Sequence, residues 1–265
     1  MTAEASRPRP GPRADFPAGA AVVIGGSGGI GSAICTGLAA AGASIELTYL
    51  ENQVAAARVA DEIRQSGGEA HISRLALEDR SAVMQFFAGV RQRHGRIHTV
   101  VNATGASISL CYVSKIDPDE WEEVFRSDVN GFFNVVNASL EYLREHGGSY
   151  VTLSTAGLVR WPMKDVLSVA PKAAIQALVT GIAREEGRHG VRANSVALGL
   201  IDAGLFLRLR NAGFDDQYMH AALGNMALKR LGTADEVADS VVFLASDRAR
   251  YVTGQTIVLD GGFSL

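Results

Sequence analysis

The sequence predicts a doubly wound α/β fold, a three-layer αβα sandwich around a mainly parallel sheet. Three observations carry that expectation. Short apolar runs alternate with longer stretches of helical period along most of the chain. Most of the short runs are apolar on both faces, as strands must be when helices cover a parallel sheet from both sides. The first run, Ala21-Val22-Val23-Ile24, leads straight into Gly25-Gly26-Ser27-Gly28-Gly29-Ile30-Gly31 and then into an Ala-rich stretch. A strand, a tight turn and a helix N-terminus in that order offer backbone amides to a phosphate.

Taken in order, residues 1–17 are rich in Pro and Arg and read as a disordered tail. Residues 18–265 read as one domain, with no internal linker and no repeat beyond the strand–helix alternation. A helix over 32–41 ends at Gly42, and a strand covers 44–49. The amphipathic stretch 53–65 stops at Gly67-Gly68. A short strand over 71–75 precedes a helix over 81–94, which Gly95 ends, and an apolar strand over 97–102. A long helix lies within 118–146. The strand 149–154, helix 169–189, strand 192–196, helix 234–246 and strand 256–259 complete the domain. Ser168 stands before Val169-Ala170-Pro171 and reads as an N-cap, with proline in the first turn where its missing N–H is harmless.

The chain has 265 residues and a mass of 28.0 kDa, enough for one full core. A net charge of −3 and a pI near 6.1 argue against a nucleic-acid or membrane-surface partner. No apolar run approaches the roughly 18 residues of a membrane span, and the N-terminus has no apolar signal region. Cys35 and Cys111 both sit in apolar surroundings, read as buried thiols, and point to a reducing cytoplasm. His71, His94 and His98 read as surface residues, and no metal site is expected.

The glycine turn fits G-x-x-x-G-x-G at Gly25, Gly29 and Gly31, with Ser27 and Ile30 between them. Glycine there lets the chain turn sharply, approach a pyrophosphate and pack the helix on the strand. Following the first strand, the turn reads as a dinucleotide site. The residue that would read the ribose is less clear. Tyr49 and Leu50 end the second strand, Glu46 lies mid-strand and Glu51 comes late, so NAD and NADP both remain open. Arg58 reads as part of a solvated helix face.

Further on, Arg230-Leu231-Gly232-Thr233-Ala234-Asp235-Glu236-Val237-Ala238, Val242-Phe243-Leu244-Ala245-Ser246, Val252-Thr253-Gly254-Gln255 and Leu259-Asp260-Gly261-Gly262 resemble the short-chain dehydrogenase/reductase family. So do Asn102-Ala103-Thr104-Gly105 and Ala193-Asn194-Ser195-Val196 with Gly199 and Ile201. The resemblance runs from about residue 18 to the end. It implies a Rossmann-type fold, hydride transfer between a nicotinamide cofactor and a carbonyl, alcohol or activated alkene, and a homotetramer or homodimer. It places Tyr49, Leu77, Asn102, Gly105, Lys172, Gly199 and Ile201 on the cofactor.

The family works with a serine, a tyrosine, a lysine and an asparagine. Ser154 and Lys172 stand where the serine and lysine belong. Four residues before Lys172, where tyrosine is usual, stands Ser168, and the asparagine's place falls on Asp128. Leu198, Ala203 and Ala76 are further departures. Residues 154–172 resemble the enoyl-acyl-carrier-protein reductases of the family, including Arg160 followed by Trp161. Their tyrosine stands seven before the lysine, and here that place is Asp165. Serine is a poor acid, whereas Asp165 is an acid if burial keeps it protonated near neutral pH. Tyr112, on a loop over the pocket, is an alternative acid.

Residues 200–228 form an apolar lid that includes Leu205, Phe206, Leu209 and Phe214, and with Trp161 they favour a small apolar acyl, polyketide or steroid-like substrate. Three readings remain. The chain is an NAD(P)-dependent oxidoreductase acting on an apolar enoyl or carbonyl compound, a nucleotide-binding scaffold without turnover, or a non-redox isomerase, cyclase or dehydratase using the same pocket.

Overall fold

The computed structural model describes residues 15–207 and 216–265. Residues 1–14 of the expected tail, and Leu209 and Phe214 of the expected lid, lie outside the described residues. Strands β1 (Ala20–Ile24), β2 (Ser44–Tyr49), β3 (Ala70–Arg74), β4 (Ile97–Asn102), β5 (Gly148–Thr155), β6 (Val191–Leu198) and β7 (Thr256–Leu259) form one sheet. Its order is β3-β2-β1-β4-β5-β6-β7, and every pair is parallel. Strand order reverses between β1 and β4, which opens a crevice beyond their carboxyl ends.

Helices α1 (Gly29–Ala40), α2 (Gln53–Gln65), α3 (Arg80–His94), α4 (Pro118–Val124), α5 (Gly131–Arg144), α6 (Val166–Glu186), α7 (Asp216–Asn225) and α8 (Ala234–Ala245) connect the strands. Two apolar layers result. Val23, Ile45, Leu47 and Val196 meet α1, α2 and α8 on one face. Val22, Val100, Tyr150 and Ala193 meet α3, α5 and α6 on the other. Neighbouring strand residues thus bury on opposite faces, which is why the strands read as continuous apolar runs.

The stretch 118–146 is not one long helix. A π-helical turn, Phe125–Asn130, separates α4 from α5 and carries Asp128 inward, to 6% exposure. Helix α6 begins at Val166, so Ser168 is its third residue and not its N-cap; Asp165 holds the cap position. Pro171 lies inside the helix. Lys164 takes a left-handed φ of 66°, which breaks the chain just before the helix, and the buried Leu167 and Val169 pull the first turn onto the core. Burial of that turn outweighs the loss of a helical bond at Pro171.

Five other expectations change. The packed chain starts by Asp15: Phe16 is buried against the His98 ring at 5.4 Å, and Asp15 pairs with Arg248 at 3.3 Å. His98 is buried rather than exposed, and burial pushes its pKa down to about 4. His94 is tucked against the fully buried Glu46. Cys35 is buried as expected, but Cys111 is only partly covered. Residues Val166–His189, against expectation, form a helix long and apolar enough to cross a membrane by length and composition. Here it covers the sheet, burying Leu167, Ile175, Val179 and Ile182.

Candidate active site

The glycine turn sits at the carboxyl end of β1, beside the switch point. Gly25 has φ +79°, which favours glycine, and its N–H donates to Thr48 Oγ1 at 3.2 Å. A Cβ on Gly31 would lie 2.2 Å from the Gly25 carbonyl oxygen, so the turn admits no larger residue there. Gly28 caps α1 without a side-chain hydrogen bond. The first amides of α1 therefore face the crevice without a side-chain acceptor, as an anion site at a helix N-terminus requires. Ser27 and Ile30 are part-exposed on the same turn. The loop after β6 closes against it: a Cβ on Gly29 would come within 3.0 Å of the Gly204 nitrogen.

At the end of β2, Tyr49 is buried and Leu50 is exposed. Arg74, paired with Tyr49 across the sheet, bonds the Leu50 carbonyl through Nε at 3.0 Å. Leu77 packs where a Cβ on Gly131 would stand, at 2.9 Å, and its carbonyl accepts from Asn134 at 2.9 Å. Gly199 abuts Asp260, with 2.7 Å between its virtual Cβ and the Asp260 Cα, and Ile201 is buried against Gly232. Gly105 is exposed, with open space around it.

Around the crevice, three polar groups stand out. Asn102 ends β4 and Ser154 lies near the end of β5; both are buried. Asn102 Nδ2 and Ser154 Oγ have no hydrogen-bond partner among the described residues. Lys172, almost wholly buried on α6, donates through Nζ to the Thr104 carbonyl at 3.1 Å and pairs with Asp128 Oδ2 at 3.4 Å. Asp128 Oδ1 also accepts from the Ala106 N–H at 2.9 Å, and Thr104 Oγ1 donates to Asn102 Oδ1 at 2.8 Å. A single network thus ties β4, the loop after it, the π-turn and α6 together. Thr48 carries no signal in the sequence, and Thr104 stands out there only as part of the Asn102–Gly105 segment; both act through positions that only tertiary packing brings together.

Ser168 is one helical turn before Lys172, on the same face of α6 and partly covered. Asp165, seven residues before Lys172, is about 10 Å away along the helix axis. It lines a cleft of about 190 Å³ with Cys111, Tyr112, Val113, Trp161 and Met163. Burial raises the pKa of Asp165 to about 6. Lys164 lies over the Tyr112 ring at 5.1 Å. Trp161 is exposed, Leu205 partly covered and Phe206 buried. The expected substrate residues therefore divide, with Trp161 in the cleft of Asp165 and Phe206 packed inward.

The uncapped helix end, the glycine cradle and the two orphaned polar atoms fit a bound dinucleotide. Placed at a switch point, such a cradle is that of a dinucleotide-dependent oxidoreductase. A family model described as enoyl-(acyl carrier protein) reductase matches residues 25–264, and the chain belongs to the short-chain dehydrogenase/reductase family. It is 31% identical over 247 residues to the uncharacterized oxidoreductase YgfF of Escherichia coli (strain K12), covering 91% of this chain and 98% of that one. It is also 31% identical over 247 residues to 1-cyclohexenylcarbonyl-CoA reductase of Streptomyces collinus, covering 92% and 86%. The solved structure of a short-chain dehydrogenase from Burkholderia cenocepacia J2315 in complex with NADP superposes with a TM-score of 0.85 at 28% identity, covering 93% and 98%.

Proposed function

We propose that the protein reduces an apolar enoyl or carbonyl compound, such as a thioester, at an active site that departs from the family's usual one. The observation that carries this reading is the Ser154 hydroxyl, buried at the sheet end without a partner among the described residues. A donor so placed is preorganised for an oxyanion, because it has no bond to break when charge develops. A reduced nicotinamide, when bound, supplies the hydride.

Gly25, Gly29 and Gly31 cradle the pyrophosphate at the start of α1. Lys172 holds the ribose hydroxyls, and Asn102 offers the cofactor an amide that has no partner among the described residues. Asp128 stands where the family has asparagine; its negative charge fixes the position of Lys172. Ser154 donates to the substrate oxygen. Asp165 delivers the proton when it is itself protonated, and water does so at higher pH. An enoyl substrate suits this arrangement, since its enolate is held by hydrogen bonds and protonated afterwards. The name of the Streptomyces relative, a cyclohexenylcarbonyl thioester reductase, favours the same class.

Arg74, the last residue of β3, whose guanidinium bonds the Leu50 carbonyl just past the end of β2, favours the 2′-phosphate of NADP, as does the NADP-bound neighbour. The Lys172–Asp128 ion pair supports a second reading, a nucleotide-binding protein without turnover, because it occupies the lysine that would assist a proton donor. Fluorescence titration with NADPH and NADH, followed by absorbance of the reduced nicotinamide against enoyl and keto thioesters, separates the two. Tighter NADPH binding with oxidation by an enoyl thioester is expected. Binding without oxidation across the panel would leave the second reading.

A further inference from the structure

We propose that Glu46, His71 and His94 form a site for a divalent transition-metal ion of the zinc class, clamping β2, β3 and the end of α3 together. Glu46 and His71 are register partners on adjacent strands, so their side chains leave the same face of the sheet side by side. His94, the last residue of α3, closes over them with its side chain 6% exposed and Nε2 2.8 Å from Glu46 Oε1. One carboxylate oxygen of Glu46 and one ring nitrogen from each histidine lie within 4.8 Å of one another.

The second, independent feature is Glu46 itself. It has no solvent exposure, and its Oε2 has no hydrogen-bond partner among the described residues. A buried carboxylate oxygen without a partner is costly, and a cation is the group that relieves the cost. Arg93 bonds the other oxygen from a side chain that is 46% exposed, so displacing it by a metal ion returns its guanidinium to solvent. It acts as a placeholder cation. Two imidazoles and a carboxylate suit zinc, which takes such ligands at bonds of about 2.0–2.2 Å. Glu69 Oε1 lies 3.3 Å from His71 Nε2, where a carboxylate orients a metal-bound imidazole. The site lies three residues before the end of β2, about 10 Å from the ribose end of the nucleotide crevice.

The test uses the intact protein, untagged and stripped with EDTA, titrated calorimetrically with Zn²⁺ alone. One ion per chain is expected, with Tm raised by about 5–10 °C at a hundredfold excess over Kd. His71→Ala and His94→Ala should each weaken binding at least about tenfold. Arg93→Ala should tighten it by removing the competing cation, an effect that a merely structural cluster does not produce. Co²⁺ provides a second readout, because visible bands without thiolate charge transfer are expected. Absence of saturable binding, unchanged affinity in both histidine variants, or thiolate charge transfer placing the ion on Cys111 would each overturn the proposal.

Discussion

Lys172 Nζ lies 3.4 Å from Asp128 Oδ2, and both side chains are almost wholly buried. The pair joins α6 to the π-helical turn, and the free oxygen of Asp128 is used by the Ala106 N–H. Breaking a buried pair leaves an uncompensated charge. Asp128→Ala should therefore lower stability by about 3 kcal/mol, whereas Asp128→Asn, which keeps one acceptor for the Ala106 N–H but loses the oxygen and the charge that face Lys172, should cost less because one of the two interactions survives. Denaturant unfolding of the three proteins measures the difference; equal losses in the two variants would show that the charge, which both remove, carries the whole effect and the bond to Ala106 none.

Lys172→Ala tests the ribose assignment. Loss of two charge-assisted hydrogen bonds should weaken nucleotide binding at least about tenfold. Unchanged affinity, with unfolding still cooperative, would remove Lys172 from the cofactor site.

Asp165 has a pH signature. Its folded pKa of about 6 is raised by burial, so the native state keeps the proton after the unfolded chain has lost it. Stability should fall as pH rises from about 4 to about 6, and by less than the full shift implies, because the carboxyl retains some solvent contact. Asp165→Asn removes that fall and should raise Tm at pH 7.5 more than at pH 4.5. If Asp165 gives the proton, turnover should also decline above about pH 6 in the parent protein, and Asp165→Asn should be slower and lack that decline. Identical pH profiles would exclude the carboxyl from proton transfer.

Arg192 pins β6 to the end of α8. Its guanidinium donates to the carbonyls of Leu244 at 2.7 Å, Ala245 at 3.0 Å and Ser246 at 3.2 Å. A cation there satisfies the terminal carbonyls of the helix and its negative end. Arg192→Met keeps the stem but orphans these acceptors, and should destabilise by about 3 kcal/mol without altering nucleotide affinity once folded. A loss below about 1 kcal/mol would show that water replaces the guanidinium.

These residues also show what the linear chain reveals. The glycine turn is legible because its parts are contiguous and each glycine has a local geometric reason. Ser154 and Lys172 are legible through the spacing that the family resemblance supplies. The start of α6 was misplaced at Ser168, since a good capping residue lost to the burial of Leu167 and Val169. The π-turn carries no local signal, because an extra residue in a turn changes no hydrophobic period over so short a stretch. Glu46 and His94 are 48 positions apart, and only the fold, which brings the end of α3 over β2, turns a mid-strand acid and an expected surface histidine into a buried pair.

The proposed hydride transfer runs at a site with Ser168 and Asp165 in the two places where the family resemblance puts tyrosine. The direct measurement is mass spectrometry of the product formed from an enoyl thioester with NADPH deuterated at the transferring position. One deuterium on the β-carbon of the product is expected, with the label lost from the nucleotide in equal amount and the yield strongly reduced in Ser154→Ala. Full nucleotide binding, no label in any product and an unchanged thioester would contradict it.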